Sequence, residues 1–208
     1  MVPGCLNVGH KVPQGRTADR RRKQRGQSLV EFAISSTVLL LLAMGLIDLS
    51  RAFYFSVAMQ GAAREGARHA AWFSTNMRAN NFLQDSEIRD TVRQALSGAG
   101  FNTSQVTFIA TNGCMTPSDG NSAGDKPYPL SAYPTTSQTV YVYACYTTPG
   151  GAQYGTLTSA PLDNSWRLGD INVMLLMNFQ LITPFIQGLF GNSLDIAYNE
   201  HFTIQGKP

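Results

Sequence analysis

Arg20-Arg21-Arg22-Lys23-Gln24-Arg25-Gly26-Gln27-Ser28-Leu29-Val30-Glu31-Phe32 leads into an apolar run that ends at Ile47. A basic block, one glycine and a hydrophobic segment with a single early acid follow one another without a break. Phe32 to Ile47 is 16 residues without a charge, and Gln27 to Val30 extends this to 20 uncharged residues interrupted only by Glu31. At about 1.5 Å rise per residue, such a segment crosses most of a hydrocarbon core about 30 Å thick. Six of the seven basic residues before it lie between Arg16 and Arg25. The positive-inside bias predicts a single pass, with the N-terminus in the cytoplasm and everything after the run outside.

The helical pattern does not stop where the apolar run stops. From Gln27 to Trp72 there is no proline, and Ala, Leu, Met, Arg, Gln and Glu dominate. These are good helix formers, so one helix of about 45 residues is expected. Its first half is apolar all round, as a membrane span should be. Its second half is amphipathic, with Leu46, Phe53, Val57, Ala63 and Ala67 as the expected core-facing stripe. Gly45, Gly61 and Gly66 flatten parts of its surface and are candidate helix-packing positions. An ordinary secretory signal is the competing interpretation of the run, since Ala43 and Gly45 fit a small-x-small cleavage site.

Gly26, four residues, and then Glu31-Phe32 resembles the processing site of type IV prepilins, in the short Flp/Tad form. There, glycine precedes the cut and an acid sits fifth after it. The segments Ile47 to Tyr54 and Gln60 to Ala71 are similar to the signature of TadE-like proteins, the pseudopilins of tight-adherence pilus systems. The likeness is strong over about residues 26–71 and weaker from Val173 to Phe202. It implies a TadE-like minor pilin, cut between Gly26 and Gln27 by a prepilin peptidase. It also implies that Glu31 meets the N-terminus of a neighbouring subunit during assembly. The implied partners are the prepilin peptidase, inner-membrane pilus platform proteins, related pseudopilins, a major pilin and membrane lipid, with no nucleic acid and no cofactor. The implied location is the cytoplasmic (inner) membrane, or the pilus itself. A large domain after the helix departs from the small Flp major pilins. The alternative is an uncleaved single-pass protein whose outer domain binds a ligand or another protein.

The formal net charge of +3 hides an asymmetry. Residues 1–26 hold seven Lys/Arg and one Asp, net +6, and the remainder nine Lys/Arg and twelve Asp/Glu, net −3. The basic block is therefore a local feature, and a topology signal accounts for it better than nucleic-acid binding does. Residues 1–26 are expected to form a cytoplasmic leader, 27–72 the long helix, and 73–208 an extracytoplasmic domain. In that domain, Asp85 or Ser86 is expected to cap a second helix running to about Ser97, with Ile88, Val92 and Ala95/Leu96 as its stripe. Strands are expected near Val106–Ala110, Thr139–Thr147, Asp170–Leu181 and Ser193–Ile204, with a short apolar turn or helix between Pro184 and Gly191. The predicted class is α+β and pilin-like: a sheet of about four strands, antiparallel by hairpin connectivity, with one apolar face laid on the helix.

Glu31 is the residue that most demands a role, because an ionised carboxylate in hydrocarbon is costly. Cleavage after Gly26 would place a new α-amino group four residues away from it. Snorkelling to the cytoplasmic interface is the simpler alternative. Asp48 and Arg51, one helical turn apart, are expected to pair at the outer membrane surface, and Glu65 is in reach of Arg68. Of the three cysteines, Cys5 lies in the leader. Cys114 and Cys145 can form a disulfide closing a loop of about 30 residues, or remain two buried thiols. Asp119-Gly120-Asn121 with Asp125 faintly resembles a calcium loop but lacks its terminal acid, and a solvated turn explains it. No metal site is expected. His69 and His201 sit alone, and no nucleophile, phosphate-loop or metalloprotease motif is present, so no catalytic residue is assigned and no enzyme is expected.

Overall fold

The computed structural model describes residues 16–76, 78–115 and 128–207, with side chains from residue 26 onward. Cys5 and the loop residues Asp119, Gly120, Asn121 and Asp125 lie outside the described residues. The chain divides into two compact units, Met1–Gly45 and Leu46–Pro208. One helix, α1 (Arg16–Ala70), runs through the first unit and into the second. It starts within the basic block rather than at Gln27, and that block is rich in Arg, Lys and Gln, all compatible with helix. Among the described residues, Gly26–Ala70 is the helical segment long and apolar enough to cross a membrane. In the first unit its apolar side chains, Leu29, Phe32, Leu39 and Leu40 among them, are exposed.

The second unit is an α+β domain. After α1 come α2 (Asp85–Gly98), β1 (Val106–Phe108), β2 (Val140–Thr147), β3 (Gln153–Tyr154), β4 (Asp170–Gln180), α3 (Pro184–Phe190) and β5 (Ser193–Thr203). The sheet order is β1-β2-β4-β5, with the two-residue β3 pairing on β2. β4 is the centre, antiparallel to β2 from Val140↔Met177 to Thr147↔Asp170 and to β5 from Asp170↔Thr203 to Gln180↔Ser193. One pairing is not antiparallel. β1 lies parallel to β2, at Val106↔Val140 to Phe108↔Val142, so the five-stranded sheet is mixed. The reason is the long connection between them, which carries the chain back to the start of β2 where a short hairpin could not.

Strand periodicity decides which residues meet α1. Val140, Val142, Ala144 and Tyr146 of β2 join Ile171, Val173, Leu175, Met177 and Phe179 of β4 in one buried cluster. The helix side of that cluster is Met59, Ala62, Ala63, Ala67 and Ala70, with Ile88, Val92 and Leu96 from α2. Part of the expected α1 stripe is therefore wrong. Ala63 and Ala67 are buried, but Leu46, Phe53 and Val57 are exposed. The domain grips α1 by its small residues, because small side chains let a sheet and a second helix come close. A Cβ built on Gly66 lies only 2.7 Å from Val92 Cγ2 and 3.7 Å from both Ile88 Cγ2 and Val173 Cγ1.

The opposite sheet face is also covered. Tyr143, Cys145, Met174 and Leu176 form a second cluster with Tyr128 and Ala132, from the connection that follows β1. Cys114 and Cys145 are joined by a disulfide, Cα atoms 4.8 Å apart, which ties that connection to β2. The α2 cap differs from expectation. Gln84 takes the N-cap position without a side-chain bond. The Asp85 carboxylate instead accepts from Tyr146 Oη at 2.6 Å and from the Leu157 amide at 3.0 Å. Burial and the adjacent Asp85 carboxylate push the Tyr146 hydroxyl far above its ordinary pKa, so it remains a donor.

Two glycines of one helix should therefore respond oppositely to the same change. Nothing lies within 4 Å of a Cβ on Gly61. Gly61→Ala is expected to stabilise the protein by up to about 1 kcal/mol through helix propensity alone. Gly66→Ala drives a methyl into the stiff, β-branched Val92, and overpacking of roughly 1–3 kcal/mol outweighs that gain. Urea unfolding of the two variants in detergent micelles, side by side, checks the sign of each.

Candidate functional site

Gly26, Gln27 and Glu31 lie on consecutive turns of α1 in the first unit. A Cβ on Gly26 meets no atom within 4 Å, so the peptide that follows it is open on that side. Gln27 Nε2 donates to Glu31 Oε1 at 3.1 Å, a bond across one helical turn, and both residues are exposed. The four-residue spacing thus brings position 27 within hydrogen-bonding reach of the acid. Its near neighbours Val30, Phe32 and Ile34 are exposed apolar residues. Gly45 ends the first unit, and Gly61, in the second, has no atom within 4 Å of a Cβ built on it, unlike Gly66.

Asp48 begins the second feature, and its surroundings were not visible in the sequence. It is 2 % exposed, while Leu46, Ile47 and Leu49 around it all face outward. The usual polarity of a helix is inverted here, with charge inside and leucine outside. The carboxylate accepts from the Thr183 amide at 2.8 Å and from the Ile182 amide at 3.1 and 3.2 Å. Arg51 Nη1 is 3.4 Å away, so the expected Asp48–Arg51 pair exists but is the longest of these contacts. The Arg51 guanidinium lies 5.1 Å from the centre of the Phe179 ring at the end of β4. Asp48 therefore supplies the acceptor for two amides that lead into α3, and fastens the β4–β5 connection to α1. A buried carboxylate is tolerable only with such a set of donors.

The remaining candidates are dispersed. His69 Nε2 is 3.4 Å from Glu87 Oε2, and His201 Nδ1 is 2.7 Å from Asp170 Oδ2. Each is a separate pair between neighbouring elements. Arg68 grips Glu65 at 2.6 and 3.1 Å on the outside of α1. Among the described residues no group of three or more His, Cys, Asp or Glu side chains is placed to hold a metal ion. The tyrosines also separate: Tyr146 is core, Tyr143 donates to the Ala132 carbonyl at 2.8 Å, and Tyr154 stacks near Trp166. What the first unit presents, by contrast, is a row of exposed apolar side chains on α1, with one acid, Glu31, and one open glycine, Gly26, near its start.

Removing the Asp48 carboxylate leaves two buried amides without their acceptor. Asp48→Ala is expected to destabilise the domain by roughly 2–4 kcal/mol, and Asp48→Asn by less, since it keeps one oxygen. Hydrogen exchange provides the local check: the Ile182 and Thr183 amides should lose protection in Asp48→Ala well before those of β2.

No curated protein and no solved structure matches the chain. The family comparison does return a match, and it lies wholly within α1, beginning at the glycine that precedes Gln27 and ending at the arginine that pairs with Glu65. Residues 26–68, in the N-terminal apolar helix that points to membrane anchoring and ahead of the α+β domain, match the model of TadE-like protein, a structural, pilin-type family, and over that segment the chain is similar to TadE-like proteins.

Proposed function

We propose that this chain is a minor pilin made as a prepilin, processed between Gly26 and Gln27 by a prepilin peptidase and acting in assembly of a Tad/Flp-type pilus. The single observation that carries the proposal is the placement of an open glycine at the head of an apolar helix with the first acid five residues on. In this reading the basic residues stay in the cytoplasm, α1 crosses the inner membrane, and the α+β domain stands outside. Its partners are then the peptidase, the inner-membrane platform, related pseudopilins and the major pilin. The hydrogen bond from Gln27 to Glu31 supports a direct role for the acid. After cleavage, residue 27 would carry the new α-amino group, one helical turn from the carboxylate. Within a filament, the same carboxylate could receive the amino group of a neighbouring subunit instead.

N-terminal sequencing of the protein from membranes of cells with an active prepilin peptidase tests the first step. A mature chain starting at Gln27, lost in Gly26→Ala, is the expected result. Because a methyl at position 26 touches nothing, the variant reports recognition and not folding. A chain retaining residues 1–26 in such cells would instead favour an uncleaved, single-pass binding protein. Glu31→Gln tests the second step. It should still be cut at Gln27, yet its recovery with sheared pili should fall by about tenfold or more, the loss expected of one charge-assisted hydrogen bond.

A further inference from the structure

The connection from β4 to β5 exposes an apolar surface. From Leu181 to Leu194 the sequence Leu-Ile-Thr-Pro-Phe-Ile-Gln-Gly-Leu-Phe-Gly-Asn-Ser-Leu carries no charge. Ile182, Phe185, Leu189 and Phe190 are each more than half exposed. Ile186 alone among the α3 side chains packs against the main core. A solvated turn of this length would ordinarily carry polar side chains on its outer surface. Here the apolar ones face outward, and a contiguous exposed patch of this kind marks an interaction surface.

Two observations identify what meets it. The first is position. Asp48 directly follows Ile47, the last residue of the uncharged run, and is the residue whose carboxylate holds the Ile182 and Thr183 amides. The start of α3 is thereby fastened to α1 at the point where the apolar run ends. Leu46, Ile47 and Leu49, on either side of Asp48, are exposed as well. The second is the backbone. Lipid offers no hydrogen bonds, so a segment that touches it must satisfy its own polar groups. In this connection the Leu181 amide donates to the Asn192 carbonyl, and Gln187 Nε2 donates to the Leu181 carbonyl. The Gln187 amide returns to the Thr183 carbonyl and the Gly191 amide to the Gln187 carbonyl. Pro184, at the first turn of α3, has no amide hydrogen to satisfy.

The geometry points to a second membrane contact: α3 and its flanks lie in the interfacial layer of the outer leaflet, with Phe185, Leu189 and Phe190 in the lipid, while Asp48 sets their depth relative to α1. Aromatic side chains suit that layer, and a short apolar helix lying in its plane is a known way to hold a domain against a bilayer. The contact would orient the outer domain on the membrane before any assembly. It rests on membrane anchoring by α1 and is independent of cleavage at Gly26.

Site-directed spin labelling tests it. The full chain, with Cys5→Ser and its disulfide oxidised, would be reconstituted in phosphatidylethanolamine–phosphatidylglycerol vesicles. Labels would be placed singly through Phe185→Cys, Leu189→Cys, Val38→Cys in the apolar run, and Leu162→Cys on an exposed loop of the domain. At positions 38, 185 and 189, collisions with oxygen should exceed those with a water-soluble nickel complex, and at 162 the order should reverse. Nickel-accessible labels at 185 and 189 beside a lipid-buried label at 38 would overturn the inference and leave the anchor standing. A nickel-accessible label at 38 would remove the anchor and the inference together. Labels at 185 and 189 shielded from both reagents, with dipolar broadening between chains, would show that a second copy covers the patch, and would equally overturn it.

Discussion

Around Gly66 α1 and α2 come close together, with Val92 Cγ2 only 2.7 Å from where a Cβ would stand and Ala62, Ala63, Ala67 and Ala70 almost wholly buried beside it. The domain depends on that closeness. β4 supplies a row of large side chains, Ile171, Val173, Leu175, Met177 and Phe179, and α2 supplies Ile88, Val92 and Leu96. A helix presenting leucines to both would push them apart. Only a nearly flat face lets the sheet and α2 pack against the same turns of α1. Met59 and Phe55 pack into the domain, but several other large apolar side chains of the helix are directed away from it. These are Leu46, Leu49, Phe53 and Val57, which none of the described residues covers.

That division of labour explains why Asp48 can be buried. Near the end of the apolar run, the face turned to the domain is no longer lined by alanine and glycine, and the segment opposite it is the start of α3. Two amides there need an acceptor that no strand supplies. A carboxylate meets that need with ionic strength behind each hydrogen bond, and Arg51, spread over the Phe179 ring, offsets its charge. The polar interaction is buried and the apolar residues are exposed, which is the arrangement expected where water is not the surrounding solvent.

Much of the architecture was legible from periodicity. Alternation in Val140–Thr147 and Asp170–Gln180 separates the two sheet faces correctly, and Ile88, Val92 and Leu96 mark the buried side of α2. The failures have physical causes. The stripe Leu46–Phe53–Val57 has helical spacing, but spacing says only that residues share a face, not whether protein or lipid receives it. The parallel pairing of β1 with β2 depends on the course of a long connection whose residues have no period. That same connection covers the second sheet face. A signal for this existed in β4, where Val173-Met174-Leu175-Leu176-Met177 is an unbroken apolar run of the kind found in strands buried on both faces. Of the candidate site, Gly26 and Glu31 could be read because their relation is local. The partners of Asp48 lie 134 and 135 residues away, and no local pattern announces a backbone amide as a ligand.

The two ends of the apolar run therefore present related physical problems with different solutions. At Glu31 an acid stands among exposed apolar residues and accepts a hydrogen bond from Gln27 on the same helix. At Asp48 an acid stands among exposed apolar residues as well, but the folded domain has closed over it with amides and a guanidinium. One carboxylate is already satisfied by tertiary structure and contributes to holding the domain on its helix. The other stays exposed on the helix surface. In a low-dielectric setting such a group gains most from a cation brought by something else. Folding thus uses one of the two acids to seat the domain on its helix and leaves the other exposed.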